Sequence, residues 1–290
     1  MKVLVTGARG FVGRHLVAAL SEARPQDALL TPTRRELDLG NQVSVGAYLS
    51  LHKPDLVFNL GAVTSPREAA LDSEQAWAVN VVGTQALCAG LLTSSPSARL
   101  VHVSTCHAYG PPLRLPISEA HPLNPQGIYA ESKAASEQQV REAVDQGLDA
   151  VIARPFNLTG PGQSTEYALA DWCQQSIEGA HSILCGDIDV ERDYMDVRDA
   201  ATGLRLLAER GVSGEAYNLC SGRSLPLRYL LALVAPGAEP LEDPGRLRKR
   251  SVPVLRGSNR KAGALGWEPA ISLEQSAVDL RLYLFSRTSI

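Results

Sequence analysis

Short runs of consecutive apolar, largely β-branched residues recur along the first half of the chain: KVLVT (Lys2 to Thr6), DLVFNL (Asp55 to Leu60), RLVHVS (Arg99 to Ser104) and AVIARP (Ala150 to Pro155). Between them lie segments whose apolar positions recur at helical spacing. Strands that are apolar without interruption suit a sheet covered on both faces, and helices between them supply the right-handed crossovers of a parallel sheet. The pattern predicts an α/β fold: a doubly wound parallel sheet of the Rossmann type over residues 1–155. After Pro155 the pattern loosens into turn formers (NLTGPGQSTEY) and more widely spaced helices. This predicts a smaller, interleaved α/β lobe over 156–290, with segments near 194–222 returning to the first domain. One helix is expected from Asp199 to Gly211 and another from Ser224 to just before Pro236-Gly237. No internal repeat or low-complexity tract interrupts the chain.

Composition narrows the picture. With 290 residues, 44% of them hydrophobic, the chain can bury a sizeable core. A net charge of −3 gives no electrostatic reason to expect nucleic acid or an anionic membrane as a partner. The five cysteines are odd in number and include no C-x-x-C pair, so neither a disulfide framework nor a metal site is expected. The N-terminus already reads as a strand and no apolar run approaches the ~18 residues of a membrane span, so a cytoplasmic protein with reduced thiols is expected.

Candidate chemistry begins at VTGARGFVG, where Gly7, Gly10 and Gly13, with Arg9, Phe11 and Val12 among them, stand between a strand and a helix. Such a turn lets backbone N–H groups approach a pyrophosphate closely. An NAD site usually ends its second strand with an acidic residue, whereas LLTPTRRELDL offers Arg34 and Arg35. That favours NADP, with NAD left open by the neighbouring Glu36. Further on, GIYAESKAASEQQ places Tyr129 and Lys133 four apart, on one helix face. A nearby ammonium would lower the pKa of a phenol that is ordinarily ~10.

These features and their order resemble the extended short-chain dehydrogenase/reductases, the family of nucleotide-sugar epimerases, dehydratases and 4-keto reductases. The resemblance runs nearly end to end, through TGARGFVG, ELDL, NLGA, NVVGT, STCHAYG, YAESK, RPFNLTGPGQ, ERDYMDVRD, YNLCSG and VLRGSNRKAGALGWEP. It implies that Thr105 hydrogen-bonds the reacting sugar oxygen, that Tyr129 transfers its proton and that Lys133 holds the nicotinamide ribose. Asp38 and Leu39 would border the adenine, and Leu60, Gly61 and Ala62 would line the cofactor ribose. Asn80 would hold backbone geometry or a water near the lysine. Thr64 and Asn157 would face a nucleotide-diphosphate sugar, while Arg192 and Arg248 would grip its diphosphate, the other charges of Arg246 to Arg250 being a solvated loop. Helices around residues 75–92 and 130–146 match those of a four-helix interface, so a homodimer is expected.

Within the family, the segment from Glu191 to Gly222 together with SVPVLRGSNRKAGALGW looks most like GDP-4-keto-6-deoxy-mannose reductases. The expected reaction is reduction of the C4 keto group of a 4-keto-6-deoxy sugar. Related dehydratases carry an acid and a glutamate base directly after the threonine, where this chain has Cys106 and His107. Elimination of water is therefore disfavoured, and Cys106 reads as a packing residue. His107 either lines the pocket or acts as a general acid/base, which keeps an epimerase as the alternative. A non-catalytic, cofactor-sensing protein ranks last, because Tyr129 and Lys133 are both retained.

Overall fold

The computed structural model describes residues 1–247 and 252–288. In chain order the first half forms β1 (Lys2–Thr6), α1 (Phe11–Ala23), β2 (Ala28–Leu30), α2 (Gln42–His52), β3 (Leu56–Asn59), α3 (Pro66–Leu71), α4 (Ser73–Trp77), α5 (Gly83–Ser94), β4 (Arg99–Val103), α6 (Ile128–Asp145) and β5 (Asp149–Pro155). The second half forms β6 (Asn157–Thr159), α7 (Ala168–Ile177), β7 (Ser182–Cys185), β8 (Glu191–Arg192), β9 (Tyr194–Asp196), α8 (Val197–Arg210), β10 (Ala216–Leu219), β11 (Leu225–Pro226), α9 (Leu227–Val234), β12 (Glu239–Glu242), β13 (Val254–Leu255), α10 (Arg260–Gly263) and α11 (Leu273–Thr288). The four strands expected from apolar runs are all present, each within two residues of the expected bounds. β2 lacks such a signal because it is only three residues long and lies at the sheet edge, with none of its residues fully buried.

Six strands pair in the order β10-β5-β4-β3-β1-β2, every neighbour parallel. Alternate strand residues point to opposite faces, and both faces are apolar. Val3, Val5, Phe58 and Val101 pack with Leu16 and Leu20 of α1 and Leu204 and Leu207 of α8. Leu4, Val57, Leu100 and Ile152 pack on the other side with Leu49 of α2, Leu87 and Leu91 of α5, and Val140 of α6. This is the doubly wound arrangement. A third cluster, built from α7, α9 and α11 around Trp172, Leu231 and Leu280, forms the core of the smaller lobe. Three small sheets, β11-β8-β13, β12-β7 and β6-β9, accompany it.

α4 and α5 are joined through a π turn at Ala78–Val82, so Ser73–Ser94 runs as one helix. By length and composition that helix could cross a membrane, a feature that the chain's apolar runs do not announce because Asn80, Thr84 and Gln85 interrupt them. Its residues Val79, Leu87, Cys88 and Leu91 are buried against the sheet.

One ionic group crosses the core. Glu137 of α6 and Arg154 of β5 are 1% and 2% exposed and pair through two bonds, Nε to Oε1 at 2.8 Å and Nη2 to Oε2 at 2.6 Å. Ser104, at the end of β4, donates to Glu137 Oε1 at 2.6 Å. Arg154 also donates to the Tyr109 hydroxyl at 2.8 Å, which in turn donates to Asn218 of β10 at 2.7 Å. Three strands and α6 are thereby held in one register. Removing one partner leaves a buried charge uncompensated, so Glu137→Ala is expected to destabilise the fold by about 3–5 kcal/mol in urea unfolding. The same cut at the exposed Arg228–Asp189 pair should cost under about 1 kcal/mol.

Candidate active site

The carboxyl ends of β1, β3 and β4 open into a cavity of about 790 Å³ between the sheet and the smaller lobe. Ligands of open parallel sheets bind in this place, where the strand order reverses between β1 and β3. Gly7, Gly10, Phe11, Val12 and Gly13 line it on one side, and Leu60, Gly61, Ala62 and Thr64 on the next. Thr105, His107, Tyr129 and Lys133 close the centre, while Asn157 and Arg192 reach in from the second half of the chain. Most of the residues singled out in the sequence are therefore neighbours in space.

The glycine turn is close-packed. Gly7 has φ +67°, and a Cβ there would come within 2.8 Å of the Gly61 nitrogen. A Cβ at Gly13 would run into the Gly7 carbonyl and lie 2.7 Å from Ala8 Cα. The helix that follows has Gly10 as its cap, no side chain capping its N–H groups and no acid in its first turn. Its free N–H groups and positive dipole end suit an anion.

Arg9, Arg34, Arg35, Asp38 and Leu39 do not line this cavity. Arg9, Arg34 and Arg35 are exposed, with Arg34 3.6 Å from Asp38. Leu39 is buried beneath Gly61. Glu36 turns back on its own loop, accepting from the Thr33 N–H at 2.7 Å and the Thr33 hydroxyl at 2.9 Å, which lowers its pKa. The positive charge of Arg9 adds to that shift, placing Arg9 beside this loop.

At the end of β4, a 3-10 turn over Cys106–Tyr109 explains how neighbouring residues diverge. Thr105 caps it, accepting from the His107 N–H at 3.2 Å. Three residues per turn send Cys106 and Tyr109 into an apolar cluster with Phe156 and Cys220, and turn His107 outward. Burial pushes the Cys106 thiol up to about 12, so it is not a thiolate at neutral pH. The His107 ring lies edge-on to Tyr129, centroids 6.2 Å apart.

Tyr129 and Lys133 sit one turn apart on α6. Tyr129 hydrogen-bonds Thr105, but burial outweighs that bond and holds the phenol well above its ordinary value. The sequence-based expectation that the Lys133 ammonium lowers it is corrected here: desolvation dominates and the shift is upward. Lys133 is 3% exposed and its ammonium makes no hydrogen bond to another side chain or carbonyl among the described residues. Burial brings it down to about 8, against a smaller opposing effect of Glu137. A lysine ammonium at the cavity wall fits a hydroxyl-rich ligand.

Asn80 bridges α6 to the loop after β3, donating to Ser132 at 2.9 Å and to the Val63 carbonyl at 3.1 Å. Asn157 donates to the Asp193 carbonyl at 3.0 Å, and Arg192 to the carbonyls of Glu191 and Val252 at 2.8 and 2.7 Å. Arg248 lies outside the described residues. Arg246 departs from the solvated reading: it lines the cavity and pairs with Asp171 and Asp243. Tyr167 and Trp172, also in the lining, carry no local motif beyond following GPGQ. Among the described residues, no group of three His, Cys, Asp or Glu side chains is placed to hold a metal.

Comparison with known proteins agrees with this geometry. The sequence model of the NAD dependent epimerase/dehydratase family matches residues 3–220. The chain belongs to that family. It is 35% identical to GDP-6-deoxy-D-mannose reductase of Pseudomonas aeruginosa, over 95% of this chain and 94% of that protein. The structure of RMD from Pseudomonas aeruginosa complexed with NADPH superposes with a TM-score of 0.90 at 32% identity, covering 99% of both chains. UDP-glucose 4-epimerase from Thermotoga maritima, solved with UDP-glucose, superposes with a TM-score of 0.90 at 26% identity over the full length of both. The tight glycine turn, the uncapped helix start and the cavity-lining Lys133 fit the dinucleotide the family name implies.

The buried lysine has a thermodynamic signature. Its folded pKa lies below the ordinary 10.5, so the unfolded chain binds more protons between about 8 and 10.5, and the penalty for the buried charge is complete below that window. Lys133→Met is expected to unfold at higher urea than the wild type at pH 7. That advantage should shrink as pH rises from about 8 to 10.5.

Proposed function

We propose that the protein is an NADPH-dependent reductase acting on the C4 keto group of a nucleotide-linked 4-keto-6-deoxy sugar, in the manner of GDP-4-keto-6-deoxy-mannose reductases. The observation that carries this reading is the reactive end of the cavity. A neutral phenol, Tyr129, is hydrogen-bonded to Thr105, and no carboxylate follows the threonine. The acids in the lining, Glu166, Asp171 and Asp187, come from the second half of the chain.

When bound, NADPH supplies the hydride, and the remaining chemistry belongs to the chain. Thr105 and Tyr129 share the sugar oxygen, and Tyr129, kept protonated by burial, donates its proton as charge develops there. Lys133 holds the nicotinamide ribose, and its positive charge offsets the developing phenolate. Arg9, Arg34 and Arg35 present an open cationic edge that suits a 2′-phosphate, with Glu36 already engaged by Thr33, which supports NADPH over NADH. Asn157 and Arg192 would meet the diphosphate of the nucleotide sugar. A homodimer through α5 and α6 completes the proposal.

The placement of His107 beside Tyr129 favours one second reading, an epimerase in which the imidazole moves a proton at a ring carbon. The two separate on stoichiometry. With GDP-4-keto-6-deoxy-mannose in excess, the reductase oxidises one NADPH per product formed, whereas an epimerase isomerises the sugar with no net loss of reduced nicotinamide. Tyr129→Phe should lower the rate by at least about 100-fold. His107→Asn should leave it within about tenfold if the ring only shapes the pocket.

A further inference from the structure

His102, on β4, points away from the cavity and has no part in the chemistry above. It is fully buried. It is the midpoint of a chain of hydrogen bonds that crosses from the β1 and β3 ends to α6. The Gly61 N–H donates to Thr6 Oγ1 at 3.0 Å, and Thr6 Oγ1 donates to Asn59 Oδ1 at 2.8 Å. Asn59 Nδ2 contacts His102 Nδ1 at 3.2 Å, His102 Nε2 contacts Ser136 Oγ at 2.9 Å, and Ser136 Oγ donates to the Lys133 carbonyl at 2.8 Å.

The ends of this chain fix its direction. A backbone N–H can only donate, so Thr6 accepts from Gly61 and keeps its own hydrogen for Asn59 Oδ1, which turns the Asn59 NH₂ toward His102. Thr84 fixes this orientation: its hydrogen is committed to the Asn80 carbonyl at 2.7 Å, so toward Asn59 it can only accept, and the group that meets it at 3.4 Å must be the Asn59 NH₂. At the other end a backbone carbonyl can only accept, so Ser136 spends its hydrogen there and must receive one from Nε2. Both directions meet at the imidazole. Nδ1 is bare and Nε2 carries the proton.

We propose that His102 is a positioning residue, held as the neutral Nε2–H tautomer, and that the chain through it sets the distance between the nucleotide-facing Gly61 backbone and the helix turn carrying Lys133. A proton on Nδ1 would face the Asn59 NH₂ and break the chain. Complete burial and the Lys133 charge on α6 both act against that proton. The role concerns cofactor grip and requires no particular sugar.

The test is direct. Long-range ¹H–¹⁵N spectra, with His102 assigned through His102→Gln, should show the Nε2–H tautomer without titration between about pH 6 and 8. Ser136→Ala and His102→Phe should each weaken NADPH binding about tenfold, and the double variant should be no worse than either single one. His102→Gln, whose amide can donate and accept, should recover most of the loss. A Nδ1–H tautomer or a titrating ring would overturn the assignment. So would unchanged NADPH affinity in Ser136→Ala, which answers the question even if His102→Phe fails to fold. Binding is read without a sugar, so a different substrate would leave the result standing.

Discussion

The site rests on the buried pairing of Glu137 with Arg154. Glu137 lies one turn beyond Lys133 on α6, and its carboxylate takes both the guanidinium from β5 and the hydroxyl of Ser104, the residue just before Thr105. One carboxylate therefore fixes the strand end that presents Thr105 against the helix that presents Tyr129 and Lys133. Such a pair contributes little net stability over an apolar replacement, but breaking it on one side is costly. Its use is geometric, since proton transfer requires the donor within hydrogen-bond reach of the sugar oxygen.

The same burial that rigidifies the site sets its electrostatics. Tyr129, half-buried at the cavity wall, and Lys133, buried beside it, are each pushed by desolvation toward the neutral form. A phenol that stays protonated is poised to donate, which matches delivery of a proton to a new alkoxide more closely than abstraction of one. Cys106, which also touches the cavity, is neutral and buried, so of the two residues after Thr105 only His107 is exposed. The 3-10 turn, rather than the residue types alone, separates an inert thiol from a cavity-facing imidazole.

Much of this was legible in the chain. Strands buried on both faces announce themselves as uninterrupted apolar runs, and the glycine turn and the Tyr129–Lys133 pair carry fixed spacings. The edge strand β2 was not legible, being short and only partly buried. Arg246 reads as one charge in a basic loop, and only the fold brings Asp171 to meet it. His102 is masked in the same way: within RLVHVS it is one polar residue in an apolar strand, and Thr6, Asn59 and Ser136 become its chain only once β1, β3 and α6 surround it. The direction of the Tyr129 shift also depends on burial, which residue spacing does not encode.

The central claim is that hydride goes to sugar C4 while Tyr129 protonates the oxygen. Turnover of GDP-4-keto-6-deoxy-mannose with NADPH deuterated at the transferred position, followed by NMR of the product, tests it most directly. The account predicts one deuterium at C4, with C3 and C5 unlabelled when the reaction is repeated in heavy water. Solvent deuterium at C3 or C5, or a product without label at C4, would contradict it.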